Sequence, residues 1–148
     1  MSARDNEAIV RETYEAFNAR VLDRAAAYAA GDAEWITVAK GETFRGPEGY
    51  KRYMQNWTTA FSDASTEITA VHAGEDFPIV EFIGRGTHDG PMRRPGGDIP
   101  ATGRSLETRF CDEFDMRDGK ITGARSYFDL AGMMVQLGLM PALEGAEP

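Results

Sequence analysis

Residues 118–141 read DGKITGARSYFDLAGMMVQLGLMP, and the fold follows from how this run divides. Asp118-Gly119 is turn chemistry, because this pair tolerates the positive φ angles of a two-residue hairpin turn. Residues 121–127 are rich in β-branched and aromatic side chains and read as the returning strand of that hairpin. Tyr127-Phe128-Asp129 marks a sharp exit and puts a carboxylate, Asp129, at the mouth of whatever the strand lines. Residues 131–139 are apolar and short, a closing helix ended at Gly138 or Pro141.

Working outward, residues 106–116 form the partner strand and residues 117–120 the turn. Upstream, residues 88–103 hold four glycines and three prolines and form a loop. Residues 66–72 and 77–87 are two further strands. Gly46-Pro47-Glu48 opens a helix, with proline where its missing N–H costs nothing. Tyr50, Tyr53, Met54, Trp57, Ala60 and Phe61 make its apolar stripe, and Ser62-Asp63 ends it. Residues 34–38 are a short strand, with turn chemistry at Lys40-Gly41 and at Phe44-Arg45-Gly46. Residues 6–22 form an amphipathic helix capped by Asp5 or Asn6. An Ala-rich helix follows over residues 22–30, stopped by Gly31-Asp32. The tail 143–148 is expected to fray. Helices, then a strand, a helix and a run of strands make an α+β domain with a curved, mostly antiparallel sheet, spanning residues 1–148. Helices on one face of a bent sheet enclose a conical pocket, a common place for a small-molecule site.

Composition narrows the function. The net charge is −8, from 16 basic and 24 acidic residues, which argues against nucleic-acid or anionic-membrane partners. The N-terminus has no apolar run behind a basic start, and no stretch approaches membrane-spanning length. Cys111 is the single cysteine, so neither an intrachain disulfide nor a cysteine-based zinc site can form, which fits a cytoplasmic location. His72 and His88 are separated and no metal spacing stands out. There is no phosphate loop, Rossmann glycine pattern or nucleophile elbow, so no cofactor is expected.

Strand parity sorts the candidates. Phe110, Asp112 and Phe114 share one face, with Arg109, Cys111, Glu113 and Asp115 on the other. In the returning strand, Thr122, Ala124, Ser126 and Phe128 oppose Ile121, Gly123, Arg125 and Tyr127. Phe82, Gly84, Gly86 and His88 share a face in the middle strand, where glycines leave room for a ligand or a bend. If the aromatic face points inward, Asp112 sits between two phenylalanines, loses solvation and becomes a general acid or base near neutral pH. If parity is reversed, it is solvated beside Glu113 and Asp115. His88 is either a proton shuttle or a loop anchor. Tyr14 and Trp57 lie on apolar helix faces but carry polar tips that want partners.

The segments FRGPEGYKRYMQNW, EFIGRGTHDG, IPATGR, DGKITGARSYFD and QLGLMP, in this order, resemble the SnoaL-like polyketide cyclases of the nuclear transport factor 2-like superfamily. Ketosteroid isomerase and limonene epoxide hydrolase are distant relatives. The resemblance implies a cystatin-like cone, a homodimer through the outer face of the sheet, and a small apolar carbonyl ligand. It also implies cofactor-independent proton abstraction by a carboxylate. The family's catalytic aspartate follows an arginine in the returning strand, whereas here Ser126 follows Arg125. Asp129 matches a second aspartate of the motif, and Asp112 falls where those cyclases carry a pocket histidine. On this reading the acid has crossed the hairpin to Asp112, with Ser126 as its hydrogen-bond partner. An isomerase-like reading makes Tyr14 the enolate donor. A hydrolase-like reading would use Asp112, Arg125 and Asp129, although parity turns Arg125 away. A non-catalytic binding protein is the alternative that Ser126 favours.

Overall fold

The structure is a computed structural model that describes residues 2–143. The elements in order are α1 (Ala3–Asn18), α2 (Leu22–Ala26), β1 (Ala29–Thr37), a 3-10 turn (Val38–Lys40), β2 (Glu42–Arg45), α3 (Gly46–Ala60), β3 (Ser65–Ala73), β4 (Pro78–Thr87), β5 (Ser105–Arg117), β6 (Lys120–Phe128) and α4 (Leu130–Gln136). The six strands form one curved, unclosed sheet in the order β2-β1-β6-β5-β4-β3. Every neighbour pair is antiparallel except β1 with β6. Helices α1 and α3 cover one face, and the main core lies between them and the sheet. A second apolar cluster gathers Phe61, Met92, Leu106, Met133 and Leu137 beneath α4 and the loop after β4.

The hairpin forms as its sequence dictates. Asp118 and Gly119 take φ of 50° and 76°, the paired positive angles whose twist suits flanking strands. Beyond it the ladder slips between Asp115 and Met116. This bulge swings Ile121 inward, where it is 1 % exposed, instead of outward with Gly123 and Arg125 as parity alone predicts. From Gly123 on, the expected alternation holds: Ala124 and Ser126 are buried and Tyr127 is exposed.

Four boundaries differ from the sequence expectation. Helix α1 begins earlier, because Ser2 caps it and Asp5 returns the bond in a capping box. Asn6 is no cap, since it is buried and its amide donates to the Glu75 carbonyl at 2.6 Å. Helix α1 also stops at Asn18, short of residue 22, and Arg20 beyond it adopts a positive φ of 63°. Ala29 and Ala30, expected to close the Ala-rich helix, belong to β1 together with Gly31 and Asp32, because pairing between β1 and β6 begins at Ala29 with Ile121 and outweighs alanine's helix preference. Phe44 and Arg45 are strand rather than turn, in the short edge strand β2, with Phe44 opposite Trp35. Of the tail expected to fray over residues 143–148, Leu143 is exposed and the rest falls outside the described residues.

The loop after β4 is anchored at its start, where the Asp89 and Gly90 amides donate to the Ala60 carbonyl at 3.0 and 3.1 Å. A Cβ on Gly90 would lie 2.0 Å from the Thr59 carbonyl oxygen, a backbone atom that cannot swing aside. Gly90→Ala is therefore expected to destabilise the fold by about 1–3 kcal/mol, read as a lowered urea midpoint at unchanged slope.

Candidate functional site

A cleft enclosing about 640 Å³, its open mouth included, runs between the helices and the sheet. Its walls are Tyr14 and Phe17 of α1, Trp35 of β1, Tyr50, Tyr53 and Trp57 of α3, Phe82 and Gly84 of β4, and Phe110 and Asp112 of β5. These residues arrive there by simple periodicity. Tyr50, Tyr53 and Trp57 repeat at helical spacing, and Phe110 and Asp112 are two apart on one face of a strand. The rings support one another. Trp35 stacks on Tyr50 at 4.2 Å, Phe82 stacks on Phe110 at 4.8 Å, and Trp57 meets Phe110 and Phe128 edge-on at 5.6 Å each. Lys40 lays its ammonium 4.5 Å over the Trp57 ring, fixing that indole further.

Among the described residues, Asp112 is the one carboxylate in this lining. Parity held around it: Phe110 and Phe114 flank it on the inner face, and it is 2 % exposed. The Tyr14 hydroxyl donates to its Oδ2 at 2.6 Å. Its Oδ1 has no hydrogen-bond partner among the described residues. Burial raises its pKa from 3.8 to about 6, against the opposing pull of the Ser126 and Tyr14 hydroxyls. Burial first, then the Asp112 charge, hold the Tyr14 phenol well above its ordinary value. Tyr50 and Tyr53 are pushed up chiefly by burial. The three phenols therefore keep their protons at neutral pH, while Asp112 is largely ionised and able to accept one.

The other candidate residues are arranged differently. Ser126 is fully buried directly opposite Asp112 on the β5–β6 ladder. It stands near enough to pull the carboxyl pKa down, yet its Oγ completes no hydrogen bond. Phe114 packs edge-on to Trp35 and Phe128 packs against Phe110, both behind the wall rather than in it. Asp129 is exposed and caps α4, accepting from the Gly132 amide at 2.9 Å. His88 also lies outside the lining. It is buried, and its Nδ1 meets the Thr102 hydroxyl at 3.0 Å and amide at 3.3 Å, which ties the two ends of its loop together. Burial lowers its pKa, so the imidazole is neutral. Gly84 makes room for the Phe110 ring, 2.7 Å from where a Cβ would stand, and Gly86 for the Phe61 side chain, whose Cβ lies at 2.9 Å. Arg125 points outward to Asp115 and Glu113. Among the described residues, no group of three His, Cys, Asp or Glu is placed to hold a metal ion, and no helix is long and apolar enough to cross a membrane.

Trp35, Tyr50 and Tyr53 were not legible as site residues, since their spacing equally describes core. Trp35 has the further distinction that its indole N–H lacks a hydrogen-bond partner among the described residues. It is a buried, unpartnered donor on a residue of the cleft wall.

The Asp112 titration is tied to stability. Folding raises this pKa, so the folded chain holds the proton more tightly than the unfolded chain does. That contribution is complete below pH 3.8 and is lost as pH rises through about 6. The difference amounts to about 3 kcal/mol at 1.36 kcal/mol per unit. Urea unfolding of the wild type and Asp112→Asn between pH 4 and pH 7 checks it: the wild type should lose stability relative to the variant as pH rises.

The profile of the SnoaL-like polyketide cyclase family matches residues 8–137. No protein of curated function matches the chain. Among solved structures, IdmH of Streptomyces antibioticus, a proposed polyketide cyclase, is 26 % identical, with 90 % of this chain and 98 % of that one covered at a TM-score of 0.73. A proposed SnoaL-like polyketide cyclase from Jannaschia sp. CCS1 is 18 % identical, with coverage of 94 % and 95 % and a TM-score of 0.81. AclR of Streptomyces galilaeus, a proposed hydroxylase, is 20 % identical, with coverage of 96 % and 86 % and a TM-score of 0.79. The latter two likenesses establish shared architecture only. By the match across residues 8–137, the chain belongs to the SnoaL-like polyketide cyclase family.

Proposed function

We propose that this protein is a cofactor-independent cyclase- or isomerase-type enzyme that removes a proton beside a carbonyl group of a small apolar compound, with Asp112 as the base. Family membership supports a cyclase- or isomerase-type role. The observation that carries the reading to a residue is the state of Asp112: the one carboxylate of an aromatic cleft, with its Oδ1 unpartnered and its pKa near 6. In this scheme Asp112 takes the proton from the carbon next to the carbonyl, and an enolate forms. Its oxygen receives a hydrogen bond from the Trp35 indole N–H. Return of the proton from Asp112 to another carbon isomerises the compound; alternatively the enolate carbon attacks a second carbonyl, whose π bond opens to an alkoxide, and the alkoxide takes the proton back from Asp112 as the ring closes.

Tyr14 has a different role from the one an isomerase-like template gives it. Its hydroxyl proton is committed to Asp112 Oδ2, so it orients the base and lowers its pKa. A hydrolase-like set of Asp112, Arg125 and Asp129 has less support, because Arg125 is tied to Asp115 on the outer face and Asp129 caps α4. The non-catalytic binding reading rests on Ser126, which stands where the family resemblance expects an acid. The proposed homodimer would use the outer face of the sheet, where half-buried Ile79, Ile83 and Cys111 lie among charged side chains. Sedimentation at micromolar concentration tests it, and a monomer throughout would remove it.

Proton–deuterium exchange at carbon next to a ketone, followed by NMR over a panel of apolar mono- and diketones, tests the enzymatic reading. Asp112→Asn should slow exchange by about 10²–10⁴-fold while the fold persists. Binding of the same ketones without any exchange, or exchange untouched in Asp112→Asn, would favour the binding reading. Tyr14→Phe should move the pH profile of exchange upward, since the lost hydroxyl holds the carboxyl pKa down.

A further inference from the structure

Thr37 of β1, Ser126 of β6 and Asp112 of β5 are direct neighbours across the sheet: Thr37 pairs with Ser126, and Ser126 pairs with Asp112. All three are buried on the inner face, at 2 %, 0 % and 2 % exposure. Thr37 Oγ1, Ser126 Oγ and Asp112 Oδ1 each lack a hydrogen-bond partner among the described residues. The rows on either side are apolar. Phe82, Phe110 and Phe128 align on one, and Phe114, Ala124 and Trp35 on the other.

A buried polar atom left unpaired costs about 1–3 kcal/mol, and protein interiors satisfy such groups with ordered water that has two or more polar partners. Adjacent strands lie about 4.8 Å apart. Two hydrogen bonds of about 2.8 Å, meeting at one oxygen, span that gap. We infer that the row Thr37–Ser126–Asp112 is a bound-water site, in which water bridges Asp112 Oδ1 through Ser126 to Thr37 and makes the two hydroxyl residues positioning residues for the carboxyl.

The arrangement completes what Tyr14 begins. Tyr14 holds Oδ2 and the water holds Oδ1. A carboxylate oxygen has two lone pairs, so Oδ1 keeps one for the cleft. The groups that face Asp112 from the covering helices are Tyr14, Tyr50 and Tyr53, all phenols held protonated by burial. Cys111, next in its strand, is on the opposite face of the sheet. Arg85, the other charged residue of the cleft wall, is paired with Glu67 and Glu107. No neighbouring titration therefore competes with the water for control of this carboxyl near neutral pH.

The inference concerns the same carboxyl as the proposed reaction, but its test reads a titration and not turnover, so the two can fail separately. Thr37 is two strands from Asp112 and touches its carboxyl only through the bridge. Carbon-13 NMR of labelled aspartate, with the Asp112 resonance assigned by Asp112→Asn, gives the carboxyl pKa directly. Thr37→Val and Ser126→Ala should each raise that pKa by about half a unit or more, and Thr37→Ser should restore it. In the Ser126→Ala background, Thr37→Val should add little, because the bridge is already cut. A Thr37→Val pKa equal to the wild-type value overturns the inference. So does a Thr37→Val effect that persists in full beside Ser126→Ala, since that is a field effect rather than a shared water. For the wild type itself, a high-resolution crystal structure should place an ordered water within hydrogen-bond reach of both Ser126 Oγ and Asp112 Oδ1, and a dry row would overturn the inference without any substitution.

Discussion

The burial of one carboxyl group governs the inner face of this protein. Asp112 sits among aromatic rings with a single hydrogen bond from the described residues, the 2.6 Å bond from Tyr14. An ionised carboxylate in such surroundings is costly, and its pKa of about 6 records that cost. Selection for stability alone would replace it with an apolar residue. A carboxyl in that position, poised to exchange a proton near neutrality, is what the proposed proton abstraction requires.

The sheet explains how that position is held. Phe82, Phe110 and Phe128 form a continuous aromatic row on one side of Asp112, and Phe114, Ala124 and Trp35 form another row on the other. Glycine at 84 lets the Phe110 ring lie flat against its neighbours. From above, α1 delivers Tyr14 and α3 delivers Tyr50, Tyr53 and Trp57. Each covering residue owes its place to a helix fixed at its ends, by the Ser2–Asp5 capping box for α1 and by Pro47 in the first turn for α3. The carboxyl is thus positioned by rigid elements, and the one loop of note, residues 88–103, is held away from it by His88 and Thr102.

Much of this was legible in the amino-acid pattern. The D-G turn, the alternation through Phe110, Asp112 and Phe114, and the stripe of Tyr50, Tyr53 and Trp57 each have a short-range physical cause, and each appears where expected. Ile121 was misplaced because a bulge shifts register by one residue without leaving a mark in the local sequence. Ala29 and Ala30 looked helical because alanine favours helices, but a long-range partner, β6, claimed them as strand. Trp35 could not be recognised as a cleft residue, since a buried tryptophan in a strand has the same local pattern whether it lines a cavity or a core.

The sequence by itself determined the class of fold, the hairpin and the alternation that carries Asp112, because these depend on contacts between near neighbours in the chain. Tertiary structure decided which acid is buried. Strand parity favours Asp112 and the family motif points to Asp129. Only the closing of α4 turned Asp129 into a solvent-exposed helix cap, and only the meeting of α1 with β5, 98 residues apart, brought the Tyr14 hydroxyl to Asp112. Burial is a property of the assembled layers, and so is the raised pKa that follows from it.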